Sequence, residues 1–90
     1  MKKYELVFDK VIFKQLKKLN KNNQIKSIIS KMFDNLESNG GTIGKLLNNQ
    51  LMLFELKNKR PSIRLYYKIM VNNIEIYILE YELKKNKKNK

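Results

Sequence analysis

Cysteine and histidine are both absent from this sequence of 90 residues. Without cysteine the chain forms neither a disulfide nor a thiolate nucleophile. Without histidine it lacks the side chain that titrates near pH 7, which excludes the serine, cysteine and zinc mechanisms that depend on imidazole. Any catalysis must use lysine, arginine, tyrosine, glutamate or aspartate, and we expect no metal site and no cofactor.

Long apolar runs are absent as well. The longest, residues 51–54 and 76–79, span four residues each, whereas a membrane helix needs about 20. The first residues show no apolar segment typical of a secretory signal, so we expect a cytoplasmic protein without a membrane partner. A chain this short holds one core. We expect a single domain at residues 1–83 and a basic Lys/Asn tail at residues 84–90.

Positive charge is what the sequence has in excess. Twenty Lys and Arg residues against eight Asp and Glu residues give a formal net charge of +12, of which residues 1–83 carry +7. Such an excess favours a phosphate-rich partner. The alternative is a basic protein without a nucleic-acid role, because asparagine is also abundant and a compositional bias would raise both residue types.

The N-terminal half alternates between one strand and two helices. Residues 4–8 read as a strand, and Asp9 occupies the N-cap position of the first helix. Residues 20–23 break that helix, and residues 39–41, which include two glycines, end the second one. The apolar positions that repeat at helical spacing are Ile12, Leu16, Leu19, Ile25, Ile28, Ile29, Met32, Phe33 and Leu36.

The C-terminal half reads as strands separated by turns. A short piece at residues 45–47 precedes three strands at residues 51–57, 62–71 and 74–83. The turns fall at residues 58–61 and at Asn72 and Asn73. The predicted order β-α-α-β-β-β is an α+β fold, in which a small antiparallel sheet carries two N-terminal helices on one face.

The two turns also predict which residues lie opposite each other in the sheet. The turn at Asn72 and Asn73 places Arg64 opposite Tyr81, and the four-residue loop places Glu55 opposite Arg64. The same registers pair Lys68 with Tyr77, Tyr66 with Leu79, Lys57 with Ser62, Leu53 with Tyr66 and Val71 with Ile74. Glu80 and Glu82 then project toward the helices, so either the strand extends past them or a bulge changes the register.

One predicted sheet face combines cations with phenols. Its members are Glu55, Lys57, Arg64, Tyr66, Lys68, Tyr77 and Tyr81. The opposite, helix-covered face carries Met52, Phe54, Leu56, Ile63, Leu65, Tyr67, Ile69, Ile76 and Ile78. Interleaved cations and aromatic rings suit phosphate contacts and base stacking. A merely solvated polar face, with Arg64 paired to Glu55, is the alternative interpretation.

Several short segments in a fixed order carry a family resemblance. They are Lys45-Leu46-Leu47, Leu53-Phe54-Glu55-Leu56-Lys57, Ile63-Arg64-Leu65-Tyr66-Tyr67, Ile78-Leu79-Glu80 and Lys84-Lys85, preceded in the first helix by Phe13, Leu16, Lys17, Lys18 and Leu19. In these segments the chain resembles the RelE/ParE superfamily of toxins from toxin–antitoxin operons, nearest the HigB-like branch. The resemblance covers nearly the whole chain and implies the same β-α-α-β-β-β fold.

The resemblance implies ribosome-dependent cleavage of mRNA, neutralised by a cognate antitoxin protein. By this resemblance Arg64 holds the scissile phosphate, and Lys57 stands where relatives often have arginine. Lys84 and Lys85 match the C-terminal basic pair of the family. Glu80 stands where relatives have histidine, and the proton acceptor is Glu80, Glu55 or a lysine. Tyr66 orients or stacks on a base.

The remaining residues expected at the RNA are Lys59, Arg60, Lys68 and Tyr81. Ribosome and mRNA are the expected partners, without a small-molecule cofactor. Two alternatives remain open: a ParE-like toxin that inhibits DNA gyrase and cuts no RNA, and a non-catalytic module that binds nucleic acid or the ribosome.

Overall fold

The structure is a computed structural model that describes the backbone of residues 4–81 and the side chains of residues 4–80. It confirms the α+β fold class. The elements in chain order are β1 (Glu5–Phe8), α1 (Lys10–Lys18), α2 (Asn23–Asn39), β2 (Lys45–Asn48), β3 (Leu53–Asn58), β4 (Ile63–Ile69) and β5 (Asn73–Tyr81). The short piece expected at residues 45–47 is therefore the strand β2. No described helix is long and apolar enough to cross a membrane.

Polar side chains and one glycine set the ends of the helices. Asp9 caps α1 as predicted, since its Oδ1 accepts a hydrogen bond from the Val11 N–H at 3.4 Å. Asn22 caps α2, where its Oδ1 accepts from the Ile25 N–H at 3.1 Å. Gly40 ends α2 with φ of 89°, a conformation that glycine adopts without steric cost.

The sheet is mixed, not purely antiparallel as the sequence predicted. Its strand order is β1-β5-β4-β3-β2, and β1 pairs with β5 in parallel while the other neighbours are antiparallel. The parallel pairing of β1 with β5 follows from the path of the chain between these two strands. The helical segment carries the chain from β1 to the opposite edge of the sheet, and the meander from β2 to β5 returns it beside β1 in the same direction.

The helices cover one face of the sheet and form a single core with it. The buried apolar residues are Ile12, Leu19, Ile25, Ile29, Met32, Leu36, Phe54, Ile63, Leu65, Tyr67, Ile74, Ile76 and Leu79. Tyr67 is fully buried, stacks on Phe54 with ring centroids 5.8 Å apart, and donates its hydroxyl hydrogen to the Gly41 carbonyl oxygen. Burial raises the pKa of Tyr67 to about 12.

Both hairpin registers differ from those predicted. In the last hairpin Ile69 pairs with Ile74, and Met70 N–H donates to the Asn73 carbonyl oxygen at 2.8 Å. The turn residues are therefore Val71 and Asn72, not Asn72 and Asn73. The shift places Val71 at the tip, where it is 98% exposed, and keeps the Ile69–Ile74 pair on the core side.

The β3–β4 loop is displaced by one position as well. Asn58 pairs with Ile63, so the loop holds residues 59–62. The Asn58 side chain donates from Nδ2 to the Pro61 carbonyl oxygen at 2.8 Å, which holds Asn58 at the end of its strand. The observed opposite neighbours are Lys57 with Arg64, Glu55 with Tyr66 and Leu53 with Lys68. The residues that share each face of these two strands are unchanged, because the register moved by two positions.

A bulge in β5 explains why Glu80 does not project toward the helices. The β4–β5 register shifts between Tyr66 and Tyr67, where Tyr67 pairs with Ile76 and Tyr66 with Ile78, so that Tyr77 is the extra residue. Beyond the bulge Leu79 is buried and Ile78 is exposed, the reverse of the prediction. The bulge avoids burying the Glu80 carboxylate among apolar side chains, which would be costly.

Met52 is a further correction. The sequence placed it on the helix-covered face, but it lies exposed in the β2–β3 turn with φ of 52°.

We call the side of the sheet away from the helices the open face. Its members are Lys45, Leu53, Glu55, Lys57, Arg64, Tyr66, Lys68, Glu75, Tyr77, Ile78 and Glu80.

Candidate functional site

Four polar side chains meet near one end of the open face. They come from three neighbouring strands: Glu55 from β3, Arg64 and Tyr66 from β4, and Glu80 from β5. Strand pairing places Glu80 directly opposite Arg64, and Glu55 directly opposite Tyr66. We call this group the Arg64 cluster.

Contacts within the Arg64 cluster centre on the guanidinium and on Glu80. Arg64 Nε lies 3.8 Å from Glu55 Oε2, and Arg64 Nη1 lies 3.8 Å from Glu80 Oε1. Tyr66 donates its hydroxyl hydrogen to the same Glu80 Oε1 at 2.8 Å. A tight charge-assisted hydrogen bond measures about 2.7–2.9 Å. The two ion pairs are therefore loose, and the guanidinium keeps N–H donors available for another anion.

Exposure differs among the charged members of the cluster. The side chain of Arg64 is 42% exposed and that of Glu80 is 63% exposed, whereas that of Glu55 is 15% exposed. A ligand on the open face therefore has direct access to the Arg64 guanidinium and the Glu80 carboxylate. Glu55 is the least exposed of the three and is a counter-charge for Arg64, and its strand partner on β2 is a second cation, Lys45.

The cluster holds both its phenol and its guanidinium in the protonated form. Hydrogen bonding to Tyr66 and the nearby Glu55 carboxylate raise the pKa of Arg64. The hydrogen bond to Glu80, followed by partial burial, raises the pKa of Tyr66. At neutral pH these two side chains are therefore donors and not proton acceptors. Among the four members of the cluster, only the carboxylates can accept a proton.

A second contact group lies further along β4 and β5, toward the last hairpin. Lys68 Nζ lies 5.4 Å from the centroid of the Tyr77 ring, a cation–π contact. Tyr77 donates its hydroxyl hydrogen to Glu75 Oε1 at 3.2 Å. The observed strand partner of Lys68 is Glu75, not Tyr77 as the sequence predicted. The contact with Tyr77 is made diagonally, from the bulge position.

The other predicted site residues fall into two groups. Lys57 is exposed and opposite Arg64, and Lys59 and Arg60 are exposed in the adjoining loop. The backbone of Tyr81 pairs with Ile63 and not with Arg64, and its side chain lies outside the described residues. Lys84 and Lys85 also lie outside the described residues.

A second set of cations lies along the helical segment, before Asp34 and Glu37 in α2, and we call these lysines the helical lysine surface. Residues 10–33 contain seven lysines and no acidic residue. All seven are exposed: Lys10, Lys14, Lys17, Lys18, Lys21, Lys26 and Lys31. On the open face, by contrast, Glu55, Glu75 and Glu80 offset three of the four cations, which are Lys45, Lys57, Arg64 and Lys68. Our prediction from the sequence missed this helical lysine surface, although the absence of acidic residues from that stretch is a readable signal.

A pocket of about 350 Å³ lies at the far end of β4 and β5 from Arg64, between the last hairpin and the end of α2. Its lining holds the exposed residues Tyr4, Asn39 and Asn72 and no charged side chain.

Within the described part of the chain, no group of three or more acidic side chains is placed to hold a metal ion. The Arg64 cluster, by contrast, exposes a guanidinium that can contact an anion.

Comparisons with protein-family models, with curated proteins and with solved structures found no significant match to this chain.

Proposed function

We propose that this protein is a toxin of the RelE/ParE type that cleaves mRNA on the ribosome as a metal-independent endoribonuclease. The Arg64 cluster is the observation that carries the proposal. An accessible guanidinium, a neutral phenol and an accessible carboxylate lie within contact distance of one another on the open face. These are the groups that transesterification of RNA requires when no imidazole is available.

The reaction uses the ribose 2′-hydroxyl of the substrate as the nucleophile. As its oxygen bonds to the adjacent phosphorus, the hydroxyl proton passes to the Glu80 carboxylate, which is the more exposed of the two glutamates. The P–O5′ bond breaks, and the leaving oxygen takes a proton from the Lys57 ammonium. The products are a 2′,3′-cyclic phosphate and a 5′-hydroxyl, so atoms and charge balance.

Arg64 and Tyr66 stabilise the charge that develops on the phosphate. The guanidinium donates to the non-bridging oxygens, and its raised pKa keeps it cationic throughout. Tyr66 also stays protonated because its pKa is raised, and it donates to the phosphate once its hydroxyl hydrogen turns away from Glu80. A phosphate that binds here competes with Glu55 and Glu80 for Arg64, and the 3.8 Å length of both ion pairs makes that exchange feasible.

Binding of the substrate and of the ribosome draws on the wider charge distribution. Lys57, Lys59 and Arg60 flank the Arg64 cluster, and the helical lysine surface adds long-range attraction for a polyanion. Lys68 and Tyr77 supply a cation and a ring for the neighbouring nucleotides. We place the protein in the cytoplasm, where its substrate is found, with a cognate antitoxin as its natural inhibitor.

Inducible expression in bacteria tests the proposal. The chain and its Arg64→Ala variant are compared for growth and protein synthesis, and mRNA 5′ ends are mapped. We expect arrest with new 5′ ends inside translated reading frames, and loss of both in the variant. Asn35→Ala, which truncates an exposed polar side chain of α2 on the other side of the sheet from the Arg64 cluster, is the control and retains both effects.

Two other outcomes contradict the proposal in different ways. Arrest without new 5′ ends, accompanied by DNA damage, favours the gyrase-inhibiting alternative. Growth without arrest, at an expression level confirmed by immunoblot, favours a module that binds nucleic acid or the ribosome without cutting RNA.

A further inference from the structure

The side-chain amide of Gln15 in α1 makes two hydrogen bonds to one residue of β5. Gln15 Nε2 donates to the Leu79 carbonyl oxygen at 2.8 Å, and Gln15 Oε1 accepts from the Leu79 N–H at 2.8 Å. The two residues are separated by 64 positions in the chain. An amide that meets both the N–H and the C=O of one residue reproduces the bonding of a neighbouring strand.

The amide lies where the neighbouring strand has ended. β1 pairs with β5 only as far as Ile76, the partner of Phe8, and the Asp9 N–H donates to the Ile76 carbonyl oxygen at 3.0 Å. Leu79 comes three residues later on the same edge. Gln15 therefore satisfies two backbone groups that β1 does not reach, and an unpaired backbone group in such a place is unfavourable.

Leu79 is the first buried residue after the bulge, so its orientation shows which register β5 has adopted. A strand without the bulge would turn Leu79 toward the open face and Glu80 toward the helices. In the structure Leu79 is buried, Tyr77 is the extra residue, and Glu80 lies beside Arg64 and Tyr66. Contacts that fix the Leu79 backbone therefore also fix the direction of the Glu80 side chain, because Glu80 is the next residue in the strand.

We propose that Gln15 is a positioning residue, which holds β5 in the bulged register and thereby keeps the Glu80 carboxylate against Arg64 and Tyr66. Gln15 touches none of the reacting groups and acts through the Leu79 backbone. The effect on catalysis rests on the proposed function, whereas the effect on the Arg64 cluster does not.

The first test measures the cluster without any RNA. Gln15→Leu removes both hydrogen bonds at similar side-chain size, and Gln24→Leu makes the same change at an exposed position of α2. We expect faster hydrogen exchange at the Leu79 amide in Gln15→Leu. Tyrosine-labelled NMR titration should show the pKa of Tyr66 returning toward its ordinary value, because its hydrogen bond to Glu80 is lost. Gln24→Leu should leave both unchanged.

The second test measures cleavage on programmed ribosomes. Gln15→Leu should lower the cleavage rate at saturation by about 10–100-fold with little change in the half-saturating concentration, since the groups that bind RNA remain. In a Glu80→Gln background the same substitution should add little further loss, because both changes act through one carboxylate.

The outcomes separate the two proposals. An unaltered Tyr66 titration and unaltered Leu79 exchange in a folded Gln15→Leu variant overturn the positioning role, whatever the chain does to RNA. Altered titration in a chain that never cleaves RNA supports the positioning role and contradicts the proposed reaction. If Gln15→Leu does not fold, Gln15→Glu serves in its place. It retains the acceptor for the Leu79 N–H and sets a carboxylate oxygen against the Leu79 carbonyl.

Discussion

The guanidinium of Arg64 lies 3.8 Å from the carboxylate of Glu80, although regular alternation along β5 from the last hairpin would put these side chains on opposite faces of the sheet. The extra residue Tyr77 brings them to the same face. Glu80 also accepts the hydroxyl hydrogen of Tyr66, so one carboxylate contacts both protonated members of the cluster. The chemistry proposed for this protein depends on that position of Glu80.

Replacing Glu80 with glutamine tests its role as the proton acceptor. The amide keeps the size of the side chain but accepts no proton, so we expect the cleavage rate to fall by about 10²–10⁴-fold, the usual contribution of a general base. Glu5→Gln, on the exposed edge strand β1, makes the same change away from the cluster and should cleave normally. Full activity in Glu80→Gln, together with loss in Glu55→Gln, would assign the role to Glu55.

Neutralising part of the helical lysine surface should weaken RNA binding without altering the Arg64 cluster. Changing Lys14, Lys17 and Lys18 to glutamine removes three exposed charges from α1. A plot of the logarithm of the association constant for a single-stranded RNA against the logarithm of the salt concentration should then become less steep. Its slope should change by up to about 2, at roughly 0.7 for each phosphate that is no longer neutralised. The same three changes to arginine keep the charge and should keep the slope. An equal slope for both sets would show that this surface does not contact RNA.

Removing the hydroxyl of Tyr67 should change how stability depends on pH. Tyr67→Phe loses the hydrogen bond to the Gly41 carbonyl oxygen, which costs about 1 kcal/mol of unfolding free energy at pH 7. The pKa of Tyr67 is raised to about 12, above its value in the unfolded chain. Between the two pKa values the unfolded chain has lost a proton that the folded chain retains, so stability falls as pH rises.

The wild-type chain should therefore lose on the order of 2–3 kcal/mol from this group between about pH 10 and pH 12, at 1.36 kcal/mol per pKa unit. Tyr67→Phe lacks this loss, so the difference in stability between the two proteins should shrink and then reverse over that range. Urea denaturation at a series of pH values measures it. A constant difference up to pH 12 would contradict the raised pKa.

Adding a methyl group at Gly44 should destabilise the fold. A Cβ there would overlap the Tyr67 hydroxyl oxygen and the Glu55 carbonyl oxygen, one of which is buried and the other backbone. We expect Gly44→Ala to lower the unfolding free energy by about 1–3 kcal/mol, as overpacking does. Ser30→Ala, on the exposed side of α2, is the control and should change stability by less than about 0.5 kcal/mol. If Gly44→Ala and the wild type unfold at the same urea concentration, the close packing of Gly44 against Tyr67 and Glu55 is contradicted.

Local sequence patterns were sufficient to predict much of the fold. The cap at Asp9, the apolar stripe of α2 and its end at Gly40 are all confirmed. Each of these features depends on residues a few positions apart, so the sequence carries the whole signal. Membership of Glu55, Lys57, Arg64 and Tyr66 in one face followed in the same way, since alternation along a strand has a period of two.

The parallel pairing of β1 with β5, the position of both turns and the bulge at Tyr77 were decided by tertiary structure. The sequence by itself determined the apolar faces of the two helices, the helix ends and the excess of lysine over acidic residues. Which neighbour each open-face residue meets depends on burying Leu79, exposing Glu80 and satisfying the β5 edge through Gln15. These requirements join residues far apart in the chain, and only the packed structure brings them together.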